Sequence, residues 1–235
     1  MMIEKIRAEM EGLADAEQAA FLSRYFKTGP GEYGEGDVFR GIRVPVTRSL
    51  AKKYKVVSLS EAELLLHSRF HEDRLLALFL LVGMYPKSSG KAREDIFRLY
   101  LNNTRFINNW DLVDSSAEHI VGAFLFDKER GLLVQLAHSE ILWERRIAIM
   151  STFHYIKKQL FDDTLRIARI LLRDPEDLIH KAVGWMLREI GKRDTAAEEN
   201  FLMAYYREMP RTMLRYAIEK LPEARRQAYL KGTVE

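Results

Sequence analysis

Trp110 and Asp114 stand four residues apart within 105–116, a stretch that enters a helix near Asn108 or Asn109. Asn side chains cap exposed backbone N–H groups at helix starts, and residues four apart on the ensuing helix share one face. A carboxylate without a partner is a costly core element. An indole face beside a negative charge instead suits a bound cation. The pair is a candidate for stabilising positive charge, set against a purely structural ion pair between Asp114 and Arg146.

A second chemistry is spread over later segments. Trp143 is followed by Arg145 and Arg146, and Trp185 by Arg188. Lys181, Trp185, Arg188 and Lys192 fall at steps of four, three and four along one helical face, and Arg211, Arg215, Arg225 and Arg226 add positive charge. Basic side chains interleaved with aromatic ones match what a phosphate backbone requires. Taken singly, Trp143 reads as core or as a wedge between helices. The pairs Arg145-Arg146 and Lys157-Lys158 also read as ordinary solvated faces.

Other chemistries find weaker support. His67 and His71 are four apart with Glu72 and Asp73 nearby, but Ser68 occupies the place of the glutamate in a His-Glu-x-x-His zinc site. Surface histidines are expected there. The loop 28–44 holds Gly29, Gly31, Gly34, Gly36 and Gly41, five of the 13 glycines, yet lacks the Gly-Lys-Ser/Thr ending of a phosphate-cradling loop. It reads as a structural loop. No Gly-x-Ser-x-Gly elbow occurs, and His119, His138, His154 and His180 stand singly.

The elements that must position these residues are helical. Apolar residues recur at period 3.6 almost throughout, with little strand-like alternation. The pattern predicts helices over 3–13 and 16–26, with Asp15 as N-cap of the second. After the Gly-rich loop and Pro45 it predicts 46–55, 59–67, 72–85, 91–101, 110–126, 129–137, 141–158, 162–172, 175–191, 195–208, 210–220 and 223–230. Helix pairs joined by short turns, without a sheet, suggest a HEAT-type solenoid with a period of about 40 residues. Trp110, Trp143 and Trp185 recur at steps near that period. The expected fold is all-α, an α-α superhelix of HEAT-like repeats with a concave basic cleft, formed by 1–235 as a single domain.

Composition narrows the function classes. The absence of cysteine excludes disulfides, Cys-ligated metal sites and thiol nucleophiles. A net charge of +3 permits a polyanionic partner without demanding one. The most apolar run, 75–85, is too short to span a bilayer, and the N-terminal residues begin an amphipathic pattern rather than a signal peptide. A cytoplasmic protein is expected.

Three segments together carry a family resemblance: Trp110-Asp111-Leu112-Val113-Asp114-Ser115, Trp143-Glu144-Arg145-Arg146-Ile147-Ala148 and Lys181-Ala182-Val183-Gly184-Trp185-Met186-Leu187-Arg188-Glu189. They resemble the hallmark segments of the AlkD family of DNA alkylation repair enzymes. Tyr25-Phe26, Gly41-Ile42-Arg43-Val44-Pro45 and 215–220 are also similar, in the same order over almost the whole chain. Gly29–Gly36 looks longer than its counterpart.

The resemblance implies a HEAT-like solenoid holding duplex DNA, and a monofunctional glycosylase that releases cationic N3- and N7-alkylated purines without metal or cofactor. It implies Asp114 as the catalytic carboxylate, Trp110 and Trp185 as aromatic walls, and Arg146 as a contact to DNA by the lesion. Arg188 matches a phosphate-facing position and Tyr25 an N-terminal DNA contact. Arg145, Lys181, Lys192, Arg211 and Arg215 join them as candidate DNA-binding residues. In this family the lesion stays stacked in the duplex and is contacted through its deoxyribose. A monomer without an obligate protein partner is expected, associated with the nucleoid when on DNA. Two other classes remain open: a non-catalytic solenoid binding damaged or branched DNA, and a protein-binding scaffold.

Overall fold

The computed structural model describes residues 2–234. Among them the structure is all-α, its one extended pairing being an isolated parallel bridge between Val38 and Phe70. No described helix is long and apolar enough to cross a membrane. The helices are α1 (Met2–Gly12), α2 (Ala16–Tyr25), α3 (Val44–Lys53), α4 (Leu59–Leu66), α5 (His71–Met84), α6 (Gly90–Asn102), α7 (Trp110–Asp114) and α8 (Ala123–Leu125). The chain continues through α9 (Gly131–Ala137), α10 (Leu142–Ser151), α11 (Phe153–Ile156), α12 (Asp162–Ile170), α13 (Asp177–Gly191), α14 (Thr195–Tyr205), α15 (Arg211–Ala217) and α16 (Glu223–Lys231).

The starts obey local chemistry. Asp15 accepts the Gln18 N–H at the head of α2. Ser58 and Glu61 form a reciprocal capping box at α4, and Asp194 caps α14 through the Ala197 N–H. Each satisfies backbone donors that a helix start leaves without partners. Pro45 lies in the first turn of α3, where its missing N–H costs nothing.

The chain forms two compact units, with the boundary between Ile120 and Val121. In the first, α4 and α3 both pack on α5, and α7 lies against α5 as well. In the second, α13 is the central element, touching α10, α11, α12, α14 and α15. Gly184 makes the approach of α15 to α13 possible, because a Cβ there would sit 2.4 Å from the Met213 carbonyl oxygen and 2.6 Å from the Tyr216 Cβ. Helix propensity alone would make Gly184→Ala stabilising. We expect the opposite, a loss of about 1–3 kcal/mol from overpacking, read as a fall in Tm on thermal denaturation. A rise in Tm would show that the two helices can separate without cost.

Two predicted helices are interrupted. Residues 110–126 form no single helix: α7 ends at Asp114, a π turn spans Glu118–Gly122, and α8 comes after it. Ser115 and Ser116 donate their hydroxyls back to the Leu112 carbonyl at 3.3 and 2.6 Å, which competes with the regular helical ladder. Residues 141–158 split into α10 and α11 at Thr152. There the buried Ser151 and Thr152 hydroxyls bond back to the carbonyls of Ile147 and Ile149, each at 2.6 Å.

Candidate functional site

The first turn of α5 reads His71-Glu72-Asp73-Arg74, four polar residues that composition would assign to solvent. All four are buried, and all four hold the Gly-rich loop. Glu72 accepts the backbone N–H groups of Arg40, Gly41 and Ile42 at 2.9, 2.8 and 3.1 Å. Asp73 takes a two-pronged ion pair from Arg40, at 2.7 and 3.1 Å, and Arg40 lies over the Phe70 ring. Arg74 pairs with Asp37. Gly41, at φ 87°, sits so close to Asp15 and Ala19 that a Cβ would overlap their backbone. The loop is thus structural, as its sequence suggests.

His71 corrects the expectation of a surface histidine. It is 2% exposed, with Nδ1 3.0 Å from Asp37 and Nε2 2.8 Å from Asp111. Burial opposes the charged ring, but the carboxylates of Asp111 and Asp37 outweigh it and raise the His71 pKa to about 9. At neutral pH it is an imidazolium with both N–H groups donating. Burial likewise works against the Asp37 carboxylate, yet His71 and Arg74 hold it below the ordinary aspartate range. His71 therefore ties the loop to α7. His67, by contrast, is exposed and contacts Asn103.

The buried Asn109 caps α7, accepting the Trp110 N–H at 2.8 Å, and its amide reaches Asp37 at 3.4 Å. Aromatic rings then fix Trp110 itself. Phe26 stacks between Phe39 and Trp110, with centroids 5.2 and 5.3 Å away, and Tyr25 meets Trp110 edge-on at 6.2 Å. Phe39 in turn stacks on His71 at 4.6 Å. A cavity of about 440 Å³ opens here, lined by Tyr25, Phe26, Arg48, Phe79, Trp110, Asp111 and Asp114 among others. Asp111 is engaged by His71, and Asp114 lies one turn below Trp110 on the same wall. An aromatic-walled cavity with carboxylates on one side favours a cation.

Of the predicted residues, the structure brings Tyr25, Trp110 and Asp114 to this cavity. Phe26 stood in the matching segment without a role, Arg48, Phe79 and Asp111 were not foreseen as part of it, and neither was His71 as the group that holds Asp111 from behind. The signal for His71 was its place beside three further polar residues opening an apolar helix.

The second unit holds the remaining candidates. Trp143 is buried, as its apolar neighbours suggested. Arg145 forms a two-pronged pair with Asp174, at 2.6 and 3.3 Å. Arg146 is 4% exposed and donates to the Leu178 carbonyl. On α13, Trp185 donates its indole N–H to Glu189 at 3.2 Å. Lys181 pairs with Asp177 at 2.8 Å, Lys192 with Glu189 at 2.5 Å, and Arg188 with Glu219. Arg211 donates to the Leu230 carbonyl at 3.0 Å, and Arg215 is exposed on α15. Each of the three cations in the row on α13 thus carries a built-in acidic partner.

Comparison with known proteins agrees with this architecture. A family model described as DNA alkylation repair enzyme matches residues 6–221. No curated protein matches significantly. Among solved structures, one described as a predicted DNA alkylation repair enzyme from Enterococcus faecalis superposes with a TM-score of 0.69 at 20% identity, covering 89% of this chain and 97% of that one. The smu.31 protein from Streptococcus mutans UA159 gives 0.57 at 17% identity, covering 88% and 96%. At such identities these likenesses establish the fold. The match of the family model over nearly the whole sequence establishes more: the chain belongs to the DNA alkylation repair enzyme family.

Proposed function

We propose that the protein is a monofunctional DNA glycosylase that excises cationic N3- and N7-alkylated purines from duplex DNA and leaves an abasic site. The observation that carries this reading is the cavity lined by the aromatic rings of Trp110, Tyr25 and Phe26 together with the carboxylate of Asp114. In an alkylated purine the base is already positively charged, so it departs with the electron pair of the N-glycosidic bond and becomes neutral. The sugar left behind is oxocarbenium-like, as in other glycosidic cleavages. Asp114 stabilises that cation and orients water for addition at the anomeric carbon, the water's proton passing to the carboxylate or to solvent. Trp110 and, by the family resemblance, Trp185 favour the cation through their ring faces.

In this reading residues 1–235 act as one HEAT-like solenoid with a basic cleft for the duplex. Arg146 contacts the DNA by the lesion, and Lys181, Arg188, Lys192, Arg211, Arg215 and Tyr25 contact the strands. The paired cations exchange a carboxylate for a phosphate on binding. Arg145, engaged with Asp174, supports the helix that carries Arg146. The reading also takes the protein as a cytoplasmic monomer that acts without cofactor.

Incubation with duplex DNA containing 7-methylguanine tests it, with free base quantified by chromatography. Release of 7-methylguanine is expected, leaving alkali-labile sites. Salt-sensitive binding without release would move the protein to non-catalytic recognition of damaged or branched DNA. Absence of binding even at low salt would make it a protein scaffold.

A further inference from the structure

A second cavity, of about 520 Å³, lies beside the first between α3 and the C-terminal half of α5. Its rim carries Arg48, Lys52, Lys55 and Lys87, and its floor is apolar, with Phe79 and Leu80. Among the described residues, none that lines it is acidic. All four cations are exposed, and none forms an ion pair among the described residues. Neighbouring lysines behave otherwise: Lys53 pairs with Glu9 at 2.6 Å and Lys91 with Asp95 at 2.7 Å. Four like charges gathered without an anion repel one another, so the arrangement is at its most stable with an anion bound.

Arg48 and Phe79 line both cavities, and the Arg48 guanidinium rests 4.3 Å above the Phe79 ring on the ridge between them. An anion here is therefore continuous with whatever occupies the Trp110–Asp114 cavity. Arg48 and Lys52 are four residues apart on α3, a rise of about 6 Å, so the two can engage neighbouring phosphates of one strand. We infer that Arg48, Lys52, Lys55 and Lys87 form a phosphate-binding subsite that holds the DNA strand flanking the lesion. The inference rests on the proposed glycosylase reading, which names DNA as the ligand.

Binding of a fluorescein-labelled duplex, measured from about 0.05 to 0.3 M salt, tests the subsite at the level of counterion release. Each phosphate contact contributes roughly 0.9 to the slope of log K against log salt. The K52A/K55A/K87A variant is expected to lower that slope by about 2–3 and to weaken binding equally across sequences. A charge-matched K5A/K53A/K91A variant is expected to keep the wild-type slope. An unchanged slope in the first variant, or an equal loss in both, overturns the subsite while leaving the glycosylase reading intact if wild-type protein still releases base. If wild-type protein neither binds the duplex nor releases base, the glycosylase reading falls and the subsite falls with it.

Discussion

Asp114→Asn is expected to reduce single-turnover release of 7-methylguanine by roughly 100- to 1,000-fold, the scale seen when one preorganised electrostatic group is removed from an active site. The substitution keeps the side chain's shape beside Trp110 and removes only the charge. A carboxylate about 4 Å from a developing cation is worth about 4 kcal/mol at an effective dielectric of 20, which corresponds to roughly a thousandfold in rate. An indole face contributes about 0.5–2 kcal/mol, so Trp110→Ala should cost markedly less. The ordering is as informative as the size. Asp114 is partly exposed, so its Asn variant should melt within a few degrees of wild type, which separates lost chemistry from lost folding. Wild-type release rates in Asp114→Asn would remove the carboxylate from the mechanism. A larger loss in Trp110→Ala would make aromatic positioning the dominant effect.

The sequence made some of this legible, for reasons that lie in particular residues. The 3.6 period of apolar positions survives in any helix, so the all-α architecture and most helix starts could be read from it. Trp110 and Asp114 share a face because helical spacing alone determines that. The break after Asp114 was hidden, since Leu112, Val113, Ala117, Ile120 and Val121 continue an apolar pattern that a π turn also satisfies. Ser115 and Ser116 interrupt it only through hydroxyls aimed back at Leu112. The basic row on α13 was legible as charge, but the pairing of Arg188 was not, because its partner Glu219 is 31 positions away. The same holds for His71. Its partners lie 34 and 40 positions away, at Asp37 and Asp111, and such contacts leave no periodic trace. A charged tetrapeptide opening an apolar helix looks like a solvated end until the loop that covers it is seen.

That buried clamp supports the second large expectation. His71→Phe keeps an aromatic ring against Phe26 and Phe39 but removes both N–H donors, leaving two carboxylates facing an apolar ring. Asp37 retains Arg74 and Asn109, whereas Asp111 loses the contact that holds it against α5. Breaking a buried pair from one side costs about 3–5 kcal/mol, and at about 2–4 °C per kcal/mol for a chain of this size the Tm should fall by roughly 6–20 °C. The wild-type pH profile provides an independent check. The folded-state pKa of His71 is raised from 6.5 to about 9, so its contribution is fully present below 6.5 and is lost as pH rises through 9. Its size is on the order of 3 kcal/mol. The Asp37 carboxylate is shifted downward, so its contribution holds through that range and is lost only in acid. Wild-type stability should therefore decline between pH 6.5 and 9, with a decline much reduced in His71→Phe. Equal slopes in the two proteins would mean that other groups set the alkaline limit. A flat wild-type profile would mean that His71 is neutral in the folded protein. Because Asp111 shares the cavity wall with Trp110 and Asp114, loosening this clamp should also misplace the carboxylate proposed for catalysis. Base release by His71→Phe should then fall even below its melting temperature, and should fall in wild type over the same alkaline range in which stability is lost.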